Sequence, residues 1–156
     1  MDIRVCSARR RESWVNSGRY PAWLSLNGDG METPGVQVCS VFVHDVTPFL
    51  LPQKRTLMTG EQMHLVIRFL QETVDLPILI NCQAGRSRST ASAVIAKYIR
   101  EGRGSEYIAA KWLFNEFPKS TPNGWFLKLA DAILGTHLFP ACENVGFVKW
   151  TKRRRD

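Results

Sequence analysis

The chain has 156 residues, 44% of them hydrophobic, and this length suits one sizeable core better than two. No apolar run reaches about 18 residues, and no apolar stretch follows the polar first residues, so neither a membrane span nor a secretory signal is predicted. We therefore expect a single domain over residues 1–146, a basic C-terminal tail over 147–156, and a cytoplasmic monomer.

The charge of the chain is strongly basic, with a formal net value of +7. Much of the excess lies in two clusters, Arg9–Arg11 and Lys149–Arg155. Mobile basic arms of this kind can contact an acidic lipid surface or a nucleic acid, although a solvated tail is the commoner outcome for a short charge run. The charge thus favours an anionic substrate or partner without indicating a nucleic-acid-binding protein.

The four cysteines, Cys6, Cys39, Cys82 and Cys142, are scattered along the chain without Cys-x-x-Cys spacing. This pattern favours reduced thiols over a disulfide framework or a zinc site, and no pair of histidines has metal-ligand spacing. We expect no metal and no cofactor.

The first half of the chain contains two predicted strands and one predicted helix. Pro21–Leu26 and Val36–Val43 are rich in apolar or β-branched residues, and the turn signal Asn27–Gly30 lies between them. Thr59-Gly60-Glu61-Gln62 matches a capping box, and apolar residues at helical spacing follow it. The spacing predicts a helix that ends near Thr73.

The second half begins with a short apolar run, Leu76–Ile80, which is typical of a strand buried on both faces of a parallel sheet. A polar loop follows, and apolar residues from Ala91 then recur at helical spacing up to Gly102. Ser105–Phe117 and Trp125–Leu134 are two further amphipathic segments. The chain therefore predicts an α/β fold, in which helices flank a central, mainly parallel sheet of four to five strands.

The loop between the apolar run and the next helix has a composition suited to binding a phosphate ester. A loop that enters a helix directs its backbone N–H groups into its concave side, and these groups bind a phosphate dianion together with the positive end of the helix dipole. The same field favours the thiolate of Cys82, Gly85 relieves the crowding of a tight loop, and Arg88 can hold two phosphoryl oxygens. Ser89 can donate a hydrogen bond to the sulfur. The predicted phosphate-binding residues are Gln83, Ala84, Gly85, Arg86, Ser87 and Arg88.

This loop resembles the Cys-x-x-Gly-x-x-Arg-Ser/Thr signature of the protein tyrosine phosphatase superfamily, and a strand precedes it and a helix follows it, as in that superfamily. Thr121–Leu127 is similar to the Pro-Asn segment that opens the last helix in dual-specificity phosphatases, and Val43–Val46 is similar to a strand end in compact relatives. The resemblance covers about residues 35 to 135 and implies a dual-specificity phosphatase-like fold. It also implies hydrolysis of a phosphate monoester through a cysteinyl-phosphate. One departure is Asn81, which stands where the family usually has histidine.

The resemblance also implies a general acid, an aspartate on a separate loop upstream of the cysteine. Asp45 is the candidate, because it follows a predicted strand and so lies at the same carboxyl edge of a parallel sheet as Cys82. The loop from Thr47 to Gly60 is then a candidate lid. The competing interpretation of Asp45 is a turn residue beside Thr47-Pro48.

The substrate stays open between several classes. A phosphorylated protein, carrying phosphotyrosine and also phosphoserine or phosphothreonine, is the first candidate. The basic charge and the loop residue Arg86, which either faces solvent or adds charge at the pocket mouth, also suit phosphoinositide or other phospholipid headgroups and RNA 5′-phosphates. A non-catalytic phosphate-binding module is the alternative from another class, and a sulfurtransferase is a weaker one.

Overall fold

The computed structural model describes residues 2–48, 55–146 and 148 of the chain. Its centre is a sheet of four strands that all run parallel, in the spatial order β1-β4-β2-β3. The strands are β1 (Ile3–Ser7), β2 (Ala22–Ser25), β3 (Gln37–Ser40) and β4 (Ile78–Cys82). The predicted α/β fold with a mainly parallel sheet is thereby confirmed.

The described residues form six helices, which cover the two faces of the sheet unequally. Among these helices, α1 packs on one face, through a small cluster that includes Tyr20, Trp23 and Leu79, and α3 and the helices around it pack on the other face. The helices are α1 (Ala8–Asn16), α2 (Gly60–Glu72), α3 (Arg88–Glu101), α4 (Glu106–Glu116), α5 (Gly124–Leu134) and α6 (Leu138–Val145).

The central strand β4 is buried along its whole length, as a continuously apolar strand between two helical layers should be. Its side chains alternate between the faces, so Ile78, Ile80 and Cys82 join the larger core while Leu79 joins the smaller one. The capping box that the sequence predicts at Thr59 is present at the start of α2, with both of its hydrogen bonds formed. These two elements lie where the pattern of apolar residues indicates.

The N-terminal segment differs from its prediction. Arg9–Arg11 is not a mobile basic arm, because it forms the first turn of α1, and β1 pairs with β4 before it. The second basic cluster, Lys149–Arg155, lies outside the described residues. Among the helices that the structure describes, none is long and apolar enough to cross a membrane.

Candidate functional site

Cys82 is the last residue of β4 and lies directly before the predicted phosphate-binding loop. The thiol is almost fully buried, and its Sγ lies 3.1 Å from the Oγ of Ser89 in the first turn of α3. A hydroxyl at this distance can donate a hydrogen bond to a thiolate and stabilise its negative charge. The structure therefore brings together the nucleophile candidate and the serine that the sequence pairs with it.

The other three cysteines have a different environment. Burial raises the pKa of Cys6 to about 12, with a further contribution from nearby Cys82, and burial also raises the pKa of Cys142 to about 12. Burial raises the pKa of Cys39 as well. These thiols stay protonated at neutral pH, which is the behaviour expected of small buried hydrophobic residues.

Arg88 is buried at the first position of α3, with its guanidinium directed towards the ends of the neighbouring strands. Its Nη1 donates to the carbonyl oxygens of Val43 at 2.6 Å and Leu26 at 3.2 Å. Its Nε is buried and has no hydrogen-bond partner among the described residues. A buried donor without a partner costs about 1–3 kcal/mol, so this nitrogen gains much from an anionic ligand.

One side of the loop rests on the N-terminal segment of the chain. Gly85 has a φ of +69°, and a Cβ at this position would lie 2.7 Å from the backbone at Cys6 and Ser7. The N–H of Ala8 at the start of α1 donates to the carbonyl of Gln83 at 3.2 Å. Only glycine fits where two backbones approach this closely, so this residue sets the path of the loop.

The other side of the loop is held by the segment before α5. The N–H groups of Thr121 and Asn123 donate to the carbonyl oxygens of Arg86 at 2.8 Å and Ser87 at 3.2 Å. The Nε of Arg86 donates to the carbonyl of Lys119 at 3.2 Å. The Arg86 side chain is exposed, and Arg86 is not one of the residues that line the cavity described below. Backbone bonds on both sides therefore define the loop conformation.

Asp45 lies beside the loop, at the same edge of the sheet as Cys82. Its Oδ1 accepts hydrogen bonds from the Oγ of Ser87 at 2.6 Å and from the Nδ2 of Asn123 at 3.0 Å. Asn123 is fully buried, caps α5 through the N–H of Phe126, and also donates to the carbonyl of Val46. The centre of the candidate lid, residues 49–54, lies outside the described residues.

A cavity of about 390 Å³ opens between the Asp45 segment and the loop. Asp45 lines it together with Arg88 and Gln83, and the exposed ring of Phe42 forms part of its wall. The Phe42 ring stands edge-on to His44, with ring centroids 5.2 Å apart. The lining of the cavity thus combines a buried cation, a carboxylate and an aromatic surface.

Asn81, which departs from the usual histidine, joins the loop to the rest of the sheet. Its Oδ1 accepts from the indole N–H of Trp23 at 2.7 Å, and its Nδ2 donates to Asp29 at 3.4 Å. Burial by itself raises the pKa of Asp29, but hydrogen bonds from Ser25, Asn27 and Asn81 and the ion pair with Arg11 at 3.2 Å hold it below its ordinary value of 3.8. The buried amide therefore links Trp23 and Asp29 at the position directly before Cys82.

Several of these functional contacts are not predicted by the sequence. The capping role of Asn123 follows from an Asn at the start of a predicted helix, but its bond to Asp45 joins residues 78 positions apart. The ion pair between Asp29 and Arg11 joins a turn to a basic cluster for which the sequence predicts a mobile arm.

The sequence of the chain matches no protein-family model and no curated protein. Its structure is similar to solved phosphatases. Human DUSP28 superposes with a TM-score of 0.63 at 19% identity, over 91% of this chain and 94% of that chain. A mouse dual specificity phosphatase solved with zinc tungstate gives 0.62 at 18% identity, over 83% and 79%. The Yvh1 phosphatase domain from Chaetomium thermophilum gives 0.58 at 15% identity, over 85% and 89%. This chain has the fold of the dual-specificity phosphatases.

Proposed function

We propose that this chain is a cysteine-dependent phosphatase that hydrolyses phosphotyrosine, and also phosphoserine or phosphothreonine, in proteins. The observation that carries the proposal is Arg88, a buried cation whose Nε lacks a partner among the described residues and which lines the same cavity as Asp45. Arg88 follows Cys82 by six positions in the loop. We therefore assign Cys82 as the nucleophile, Arg88 as the anion clamp and Asp45 as the acid, the three groups that phosphoryl transfer to a thiolate requires.

In the first step the thiolate of Cys82 attacks phosphorus, and the bond from phosphorus to the ester oxygen breaks. Protonated Asp45 gives its proton to the leaving oxygen, and Arg88 and the loop N–H groups stabilise the charge that builds on the phosphoryl oxygens. In the second step the Asp45 carboxylate takes a proton from water, which attacks phosphorus and releases the sulfur. Ser89, at 3.1 Å from Sγ, stabilises the departing thiolate.

The wall of the cavity supports an aryl ester as the substrate. Phe42 is 55% exposed, and an apolar ring left in solvent at the mouth of a cavity offers a face or an edge to a second aromatic ring. Gly28 allows this placement, because a Cβ there would lie 2.9 Å from the Cβ of Phe42. The ring of a phosphotyrosine bound in this cavity would have Phe42 as an aromatic neighbour.

The test is hydrolysis of an aryl phosphate across pH by the wild type and by Cys82→Ser, Asp45→Asn and Cys39→Ser. We expect Cys82→Ser to abolish turnover, Asp45→Asn to remove the basic limb of the pH profile, and the control Cys39→Ser to retain activity. Vanadate should inhibit the wild type. An inert wild type that still binds phosphate would reject catalysis and favour a phosphate-binding module.

A further inference from the structure

The candidate acid Asp45 lies at the centre of a tight turn. The N–H of Val46 donates to the carbonyl of His44 at 3.0 Å, which closes the turn around Asp45. The carbonyl of Val46 accepts from the Nδ2 of Asn123 at 3.2 Å, so one end of the turn is tied to the start of α5. The contact at the other end is of a different kind, because it is made by a side chain that can change its charge.

That side chain is His44, which two hydrogen bonds join to Thr56 at a separation of 12 positions. The backbone N–H of His44 donates to the carbonyl of Thr56 at 2.9 Å, and the backbone N–H of Thr56 donates to the imidazole Nδ1 at 2.8 Å. The two bonds tie the Asp45 turn to the segment that leads into α2. This segment is itself fixed, because Met58 is buried and its carbonyl accepts from the indole N–H of Trp125 at 2.8 Å.

The bond to the ring defines which imidazole nitrogen carries the proton. A neutral imidazole has one donor and one acceptor nitrogen, whereas an imidazolium has two donors. Because Nδ1 accepts from the N–H of Thr56, the proton of the neutral ring is assigned to Nε2. A protonated ring would place one N–H against another, and the bond between the ring and Thr56 would be lost.

The ring also lies close to the reacting groups. His44 is half-buried and lines the cavity that contains Asp45. Among the described residues, the charged ones that line this cavity are Asp45, Arg55 and Arg88. Asp45 follows His44 directly in the chain, so a single peptide unit joins the bonded ring to the candidate acid. A shift of the ring therefore moves the backbone that carries the carboxylate.

We propose that His44 is a positioning residue for the general acid: its neutral ring, with the proton on Nε2, holds the Asp45 turn against Thr56 and so directs the carboxyl group. The proposal rests on the proposed function for the role of Asp45. Ser87 and Asn123 bond to the carboxylate itself, whereas His44 acts on the backbone that carries it. Loss of the ring should therefore matter most where the leaving group needs a proton.

The kinetic test compares His44→Ala and His44→Asn on a phosphotyrosine peptide and on p-nitrophenyl phosphate. His44→Ala removes the acceptor, and since a neutral hydrogen bond corresponds to about fivefold, kcat for the peptide should fall about fivefold. The loss on p-nitrophenyl phosphate should be much smaller, because its leaving group departs readily without a proton. His44→Asn supplies an amide oxygen as the acceptor and should restore most of the peptide rate. His64→Ala, at an exposed histidine of α2, is the control and should change neither rate.

The pH dependence distinguishes positioning by a neutral ring from a merely structural contact. A histidine changes charge between about pH 5 and 8, whereas an asparagine does not. In the wild type, protonation of the ring breaks its bond to Thr56, so kcat for the peptide should decline more steeply from neutral pH to about pH 5 than in His44→Asn. Parallel profiles of the two proteins would contradict the proposal.

NMR of the resting protein separates this proposal from the proposed function. At neutral pH the ring of His44 should have a protonated Nε2 and an unprotonated Nδ1, and the amide hydrogen of Thr56 should exchange faster in His44→Ala than in the wild type. A proton on Nδ1, or equal exchange at Thr56, would overturn the proposal and leave the activity of an active protein unexplained by His44 alone. Equal losses on both esters in His44→Ala would overturn it as well. An inert wild type with the expected ring would instead reject the proposed function, and with it any role of His44 in placing an acid.

Discussion

The hydrogen bond from Ser87 to Asp45 predicts a positioning role that Ser87→Ala can test. The donor is a loop residue and the acceptor is the candidate acid, and their oxygens are 2.6 Å apart. The substitution removes this bond and leaves the backbone bonds of residue 87 in place. It should therefore weaken the positioning of Asp45 without dismantling the loop.

The size of the effect follows from the contacts that remain. A hydrogen bond to a charged group contributes about 1.5–3 kcal/mol, and each 1.4 kcal/mol is about tenfold in rate, so complete loss of positioning corresponds to about 10- to 150-fold. Asn123 still donates to the same oxygen of Asp45 at 3.0 Å. We therefore expect the lower limit, a fall of about tenfold in kcat for a phosphotyrosine peptide.

The assay uses two esters with different leaving groups. A p-nitrophenolate leaves readily without a proton, so Ser87→Ala should slow p-nitrophenyl phosphate much less than the peptide. In an Asp45→Asn background the same substitution should have no further effect on the peptide. Ser92→Ala is the control, since that buried hydroxyl has no partner among the described residues. Equal losses on both esters, or an undiminished loss in the Asp45→Asn background, would refute the positioning role.

Three further predictions concern the walls and supports of the site. Gly85→Ala should destabilise the fold by about 2–4 kcal/mol, because the new Cβ would lie 2.7 Å from backbone atoms at a residue with positive φ. The control Gly60→Ala adds a Cβ into open space and should leave the stability unchanged. Thermal unfolding measures both variants, and equal melting temperatures would contradict the close approach. Phe42→Ala should raise KM for a phosphotyrosine peptide about fivefold and leave KM for an alkyl phosphate unchanged. Met31→Ala, at another exposed hydrophobic residue, is the control and should change neither KM. The same change in KM for both esters would reject the aromatic contact. Asp29→Asn should lower the free energy of unfolding at neutral pH. Because the pKa of Asp29 is lowered in the folded state, this difference from the wild type should shrink as the pH falls below 3.8. Chemical unfolding at pH 7 and pH 3 measures the difference, and a constant value would refute the prediction.

The sequence predicts the second half of the fold more accurately than the first. The helix after Thr59 and the strand before Cys82 carry strong local signals, a capping box and a continuous apolar run, and both are present. The strand β1 and the helix α1 carry none, since three arginines occupy the first turn of α1 and Trp14 is only partly buried. Their stability comes from pairing with β4, which is a contact between distant parts of the chain.

The short helix α6 was also not predicted, for a similar reason. Its first N–H groups, at Leu138 and Phe139, donate to the carboxylate of Asp131 in the preceding helix. A cap supplied from seven or eight residues upstream does not match any local capping pattern. For the candidate site, the sequence predicts the edge of the sheet at which Asp45 lies, because parallel strands end at the same edge. It does not predict the hydrogen bonds of Asp45 with Ser87 and Asn123, because these residues are distant in sequence and meet only in the folded chain.

The amide at position 81 has a consequence for how the activity of this chain should vary with pH. A histidine beneath the nucleophile changes charge between about pH 5 and 8, so its own titration adds to that of the reacting groups. Asn81 has no proton to gain or lose in this range, and its bonds to Trp23 and Asp29 keep the same donors and acceptors throughout. A rate profile measured on this chain would then carry no contribution from a titrating side chain at position 81.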